Sequence, residues 1–110
     1  MLVNYSNNGD IPTPALLFVK ADWCGHCQKA MPVLRQVGDM LGAAVPTIAI
    51  DSDAHKAMVA RLGVKSFPTI LYVDDGGQAH VFEGERTAHT IVGFVCSHAS
   101  KTRGTLDGVC

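Results

Sequence analysis

With 110 residues, 47% of them apolar and only 17% charged, the chain is long enough for one domain with a core of its own, so its four cysteines are not required as staples. Nine basic and ten acidic side chains, mixed along the sequence, leave a net charge of −1 and no basic face for nucleic acid or an anionic membrane. No apolar run reaches the roughly 18 residues that span a bilayer.

The first residues, Met1 to Ser6, have no basic region followed by an apolar stretch and do not read as a signal peptide. The expectation is a cytoplasmic protein, or one of the ER lumen or secretory pathway if a targeting segment has been removed. Residues 2–5 are predicted as a short edge strand, and Asn7 to Asp10 with Pro12 and Pro14 as loop. Ala15 to Val19 is a continuous apolar run, the pattern of a strand buried on both faces. A helix follows over residues 24–41. Cys27, Ala30, Leu34, Val37 and Leu41 form its apolar stripe, Pro32 lies inside it and Gly42 ends it. Residues 45–50 read as a second buried strand. Ser52 or Asp53 is the expected cap of a short helix over 54–62, with Met58, Val59 and Leu62 inward and Gly63 as its stop. A third strand over 69–73 turns through Asp74-Asp75-Gly76-Gly77 into an antiparallel strand over 79–83. The last helix spans 87–99, with Ile91, Phe94, Val95 and His98 facing in. Residues 1–100 are thus expected to form one α/β domain, a mixed central sheet flanked by helices, and residues 101–110 a flexible tail.

Cys24 and Cys27 stand two residues apart, a spacing that serves redox or metal chemistry better than a structural clip. Zinc wants four ligands. There is no second such pair, and His55, His80, His89 and His98 are scattered as surface or boundary residues, so no metal is expected. Thiol–disulfide exchange needs a thiolate with a second thiol beside it. Cys24 lies at a helix N-terminus, where free N–H groups favour an anion, and His26 can add positive charge or a hydrogen bond. Cys27, one turn in and more buried, would resolve the mixed disulfide. Trp23 roofs the helix start and offers a flat apolar contact to substrate. Cys96 and Cys110 are expected to be inert free thiols. The alternatives are a pair closing a loop of about 14 residues, worth at most about 3 kcal/mol, or a link between chains.

Residues 15–99 resemble a thioredoxin-superfamily domain, most of all a catalytic domain of the protein disulfide isomerases. Trp23-Cys24-Gly25-His26-Cys27 is the isomerase form of the motif, where thioredoxins carry proline at the His26 position. Pro32 falls where the family kinks its active-site helix. Ser66-Phe67-Pro68-Thr69 matches the loop whose proline is cis and faces the dithiol, and Gly84 to Val95 resembles the last helix with its lead-in. The resemblance implies a thioredoxin fold with a shortened N-terminal strand and helix. It also implies a cis Pro68, with the backbone of Phe67 free to pair with an extended substrate. Gly25 takes its place in the catalytic motif. Arg86, matching a mobile arginine of the isomerases, would lower the pKa of Cys27.

Three positions depart from the family. Phe18 stands where a buried acid lies under the dithiol, Ala49 where the isomerases place that acid's lysine partner, and Lys20 where an aromatic is usual. A proton acceptor for Cys27 is therefore missing from the strand. The expectation is a stable core, normal attack by Cys24, and a slow escape from the mixed disulfide that speeds up with pH.

The implied function is a thiol–disulfide oxidoreductase that oxidises, isomerises or reduces disulfide- or thiol-containing protein substrates. It would use no cofactor beyond its redox-active Cys24–Cys27 pair, be recycled by glutathione or by a separate reductase or oxidase, and act as a monomer. His26 in place of proline places the expected potential between about −270 and −180 mV. One alternative is a thioredoxin-like cytosolic reductase. Another is a non-enzymatic peptide-binding or chaperone module that uses the edge at Phe67 and Pro68.

Overall fold

The computed structural model describes residues 1–6, 9–99, 106 and 108–110. Strand β2 (Ala15–Lys20) runs through the middle of a five-stranded sheet, and its apolar run supplies both faces. Leu16 and Phe18 enter one core cluster, and Ala15, Leu17 and Val19 enter the other, as the two-residue period of a strand dictates. Strand β3 (Thr47–Asp51) pairs with β2 in parallel and sets Phe18 opposite Ala49. Strand β4 (Thr69–Val73) pairs on the other side, antiparallel. Strand β1 (Leu2–Asn4) extends the sheet beyond β3, and β5 (Ala79–Val81) extends it beyond β4, giving the order β1-β3-β2-β4-β5. Helices α1 (Gly25–Leu41) and α3 (Ala88–His98) cover the face of Leu16 and Phe18, and α2 (Lys56–Arg61) covers the other.

The expected stripe of α1, from Cys27 to Leu41, is buried, and Pro32 lies on its exposed side. Gly38 marks the contact of α1 with β1. The chain's amino group donates to the Gly38 carbonyl at 2.7 Å, and a Cβ on Gly38 would stand 2.8 Å from the Leu2 nitrogen. Gly42, at φ 62°, ends the helix and returns its own N–H to the same carbonyl.

Several boundaries differ from the sequence reading. β3 begins at Thr47 because Pro46 has no N–H for the ladder, although its carbonyl accepts from Leu16 at 2.9 Å. The cap of α2 is His55, with no side-chain hydrogen bond, and not Ser52 or Asp53. The His55 N–H closes a turn on the Asp51 carbonyl at 3.0 Å, and Ser52 is drawn into the interior by donating its N–H to Lys20 at 2.8 Å. The helix therefore opens only at Lys56. β5 stops at Val81, and Gly84, at φ 141°, redirects the chain toward α3. In α3 the core takes Ile91, Val92, Val95 and Cys96. Phe94 and His98 are half-buried and join Phe82 and His80 in a row of rings.

The carboxyl end departs most. Cys96 and Cys110 form a disulfide, and Leu106 is 1% exposed within the cluster built by α1 and α3. Cys96 lies on the buried side of α3, where an apolar anchor brings its partner. The reading of both as free thiols is corrected. Of the expected flexible tail, residues 101–105 and 107 lie outside the described residues.

Candidate active site

Cys24 occupies the cap position before α1, with extended backbone angles of φ −86° and ψ 113°. That conformation turns its Sγ over the first turn, where the Cys27 N–H donates to it at 3.1 Å. The cap is fixed on both sides, by the Cys24 N–H donating to the Ala21 carbonyl and the Gln28 N–H donating to the Cys24 carbonyl, each at 3.1 Å. Both thiols are free, at 8% and 2% exposure.

The two sulfurs are electrostatically unequal. The pKa of Cys24 is lowered, first by the hydrogen bond from the Cys27 side chain. The N–H groups of Cys27 and His26 and the charge of Arg86 add to this, against a cost of partial burial. Cys27 is pushed up to about 11, first by burial and then by its bond to Cys24, while the Ala21 backbone and Arg86 pull the other way. Thiol–disulfide exchange requires such an inequality, one thiol favoured as the attacking anion and the other held protonated.

The other sequence-derived residues take the following places. His26 is exposed, and it reaches Cys24 through its backbone N–H at the second helical position rather than through its ring. Its side chain lines a cleft of about 170 Å³ with Lys29, Ala30 and Arg86. A Cβ on Gly25 would meet nothing within 4 Å, so the start of α1 is open to solvent there. Arg86 acts on both sulfurs, not on Cys27 alone. Trp23 is 69% exposed; its indole N–H donates to Asp53 Oδ2 at 3.1 Å, and its ring meets Phe67 edge-on at 6.0 Å between centroids. The Phe67–Pro68 peptide is cis, and so is Thr13–Pro14, which the sequence marks only as loop.

Some site residues escape sequence reasoning. Asp53 looks like a helix cap but holds Trp23. Lys20, Ala21, Asp22, Gln28 and Met31 join Cys27 in the wall of a cleft of about 230 Å³. The one available signal was Lys20 itself, a cation where the family carries an aromatic. Among the described residues no group of three or more His, Cys, Asp or Glu side chains could hold a metal ion, and no helix is long and apolar enough to cross a membrane.

The Thioredoxin family model matches residues 9–97. A thioredoxin-like protein of Synechocystis is 33% identical over 81 residues, covering 74% of this chain and 77% of that protein. The protein disulfide isomerase-like 2-3 of Oryza sativa is 35% identical over 77 residues, covering 70% of this chain and 18% of that protein. Among solved structures, the first thioredoxin domain of mouse protein disulfide-isomerase A4 superposes with a TM-score of 0.67 at 29% identity, over 76% of this chain and 61% of that one. The chain belongs to the thioredoxin family. Its Cys24–Cys27 pair is the dithiol of a thiol–disulfide oxidoreductase. It spans most of the Synechocystis relative but under a fifth of the rice isomerase-like protein.

Proposed function

We propose that the protein introduces and rearranges disulfides in protein substrates, using no cofactor beyond its own dithiol and recycled by glutathione or a partner oxidase. The inequality of the two sulfurs carries this reading. Hydrogen bonds to Cys24 favour its thiolate, whereas burial holds Cys27 protonated by pushing it up to about 11. A mixed disulfide on Cys24 therefore lasts, and another thiol of the substrate has time to attack it. That sequence is isomerisation, whereas rapid escape through Cys27 suits a reductase. Stabilising the Cys24 anion also stabilises the reduced enzyme, which makes the oxidised enzyme the better disulfide donor. Two further features support the reading. Trp23 and Phe67 offer an apolar platform to an unfolded chain, and the Cys96–Cys110 disulfide fits an oxidising compartment better than the cytosol.

The test is a substrate protein with scrambled disulfides in glutathione buffer. Native pairings should be regained with the enzyme, not with Cys24→Ser, and Cys27→Ser should be captured as mixed disulfides. Reduction of the substrate without rearrangement would place the protein with the reductases. Binding without turnover would make it a peptide-binding module.

A further inference from the structure

The lifetime of the mixed disulfide depends on how Cys27 loses its proton, and most of its surroundings cannot take one. Phe18 and Ala49, opposite each other on β2 and β3, are buried in the same cluster as Cys27, together with Ala21 and Ala30. The cleft of about 230 Å³ is different, because Cys27 itself forms part of its wall. That volume admits several water molecules. The second cleft, beside His26 and Arg86, does not include Cys27 in its wall.

The polar side chains of the larger cleft are held in place. Lys20 is a cation whose side chain is only 14% exposed, with Nζ 2.8 Å from Asp22 Oδ1 and 3.9 Å from Asp51 Oδ2. Gln28 donates from Nε2 to the Asp22 carbonyl at 2.8 Å and pins the backbone there. Asp22 itself is 79% exposed, so its carboxylate joins the cleft to bulk solvent.

We propose that Cys27 passes its proton through water in this cleft to the Asp22 carboxylate, with Lys20 and Gln28 as positioning residues that hold Asp22 at the mouth. The S–H bond of Cys27 breaks and an O–H bond forms on Asp22. The freed electron pair of Cys27 attacks Cys24 Sγ, forming the Cys24–Cys27 bond and breaking the bond from Cys24 to the substrate sulfur. The substrate leaves as a thiolate and is protonated from solvent, and Asp22 releases its proton to solvent. The dithiol is oxidised and the substrate disulfide reduced, with no other oxidant or reductant. The Asp22 carboxylate matters because it accepts the proton while the sulfur attacks. The titratable and charged groups around Cys27 are Cys24 from the cap before α1, His26 and Lys29 from α1, Lys20 and Asp22 from β2 and the segment after it, Asp51 from the end of β3, and Arg86 from the segment before α3.

The inference rests on thiol–disulfide exchange at this dithiol, and the experiment separates the two. Stopped-flow mixing with a disulfide peptide follows both formation and decay of the mixed disulfide. In the wild type, decay should change little between about pH 6 and about pH 8, in place of the rise with pH expected from Phe18 and Ala49 alone. In Asp22→Asn it should be roughly tenfold slower at neutral pH and then rise about tenfold per pH unit, because hydroxide becomes the acceptor. Formation, which belongs to Cys24, should stay unchanged. Asp22→Glu should restore the flat profile, and added formate or acetate should speed the Asn variant. Lys20→Met should fall between. Asp39→Asn, at the far end of α1, should match wild type. If the decay of Asp22→Asn keeps the rate and pH profile of the wild type, the proton leaves by another route and the inference is overturned. If no mixed disulfide forms even with Cys27→Ser, it is the oxidoreductase reading that fails.

Discussion

The amide of His26 sits at the second position of α1 and is one of the two N–H groups that favour an anion on Cys24. Any residue but proline supplies that amide, so His26→Ala and His26→Pro separate the ring from the backbone. His26→Pro removes both. It should raise the Cys24 pKa and lower the reduction potential, by about 30 mV for each tenfold loss of thiolate stability in a two-electron couple. The sign follows from the state affected: losing a stabiliser of the thiolate disfavours the reduced form, so the enzyme becomes more reducing. His26→Ala keeps the amide and should move the potential by less than half as much. Equilibration with glutathione, with alkylation rates of Cys24 against pH, measures both. Equal shifts in the two variants would assign the tuning to the imidazole.

At the level of elements, one substitution has opposite consequences in two helices. Gly93, in α3, is exposed and a Cβ there would meet nothing within 4 Å, so Gly93→Ala should stabilise by about 0.5–1 kcal/mol through helix propensity and a less free unfolded chain. Gly38, in α1, lies under β1, where the added Cβ would press on the Leu2 backbone at 2.8 Å. The same propensity gain is outweighed there by displacement of the strand, and Gly38→Ala should cost about 1–3 kcal/mol. Urea midpoints of the two variants should move in opposite directions. These elements also show what the sequence makes legible. The unbroken apolar run of β2 and the stripe of α1 have no competing interpretation, so both were readable. The start of α2 was not, because it is set by the bond from Ser52 to Lys20, a contact between segments that no local propensity records. The active site divides the same way. Its sulfur chemistry is written in five consecutive residues, whereas Trp23 with Asp53 and Lys20 with Asp51 are each brought together across some thirty positions by the pairing of β2 with β3.

Across the whole molecule, the layer of α1 and α3 receives both ends of the chain, the amino group at Gly38 and the carboxyl end at Cys96. The disulfide at the second of these has a consequence in polymer statistics. Four cysteines can pair in three ways. Once the dithiol is oxidised, the native arrangement joins Cys24 to Cys27 within one turn and Cys96 to Cys110 across 14 positions, whereas either scrambled arrangement must close loops of 69 to 86 residues. Loop-closure entropy grows as three halves of the logarithm of loop length, so in the unfolded chain Cys96 meets Cys110 roughly ten times more often than it meets Cys24 or Cys27. Oxidative refolding of the reduced, denatured chain should therefore give early one-disulfide species that hold Cys24–Cys27 or Cys96–Cys110 rather than a bond between the two pairs, as mass mapping of acid-quenched, alkylated samples would show. Early dominance of a Cys27–Cys96 or Cys24–Cys110 bond would contradict it. The spacing of its own thiols thus lets this chain sort them before it has folded, without a second copy of the enzyme to correct them.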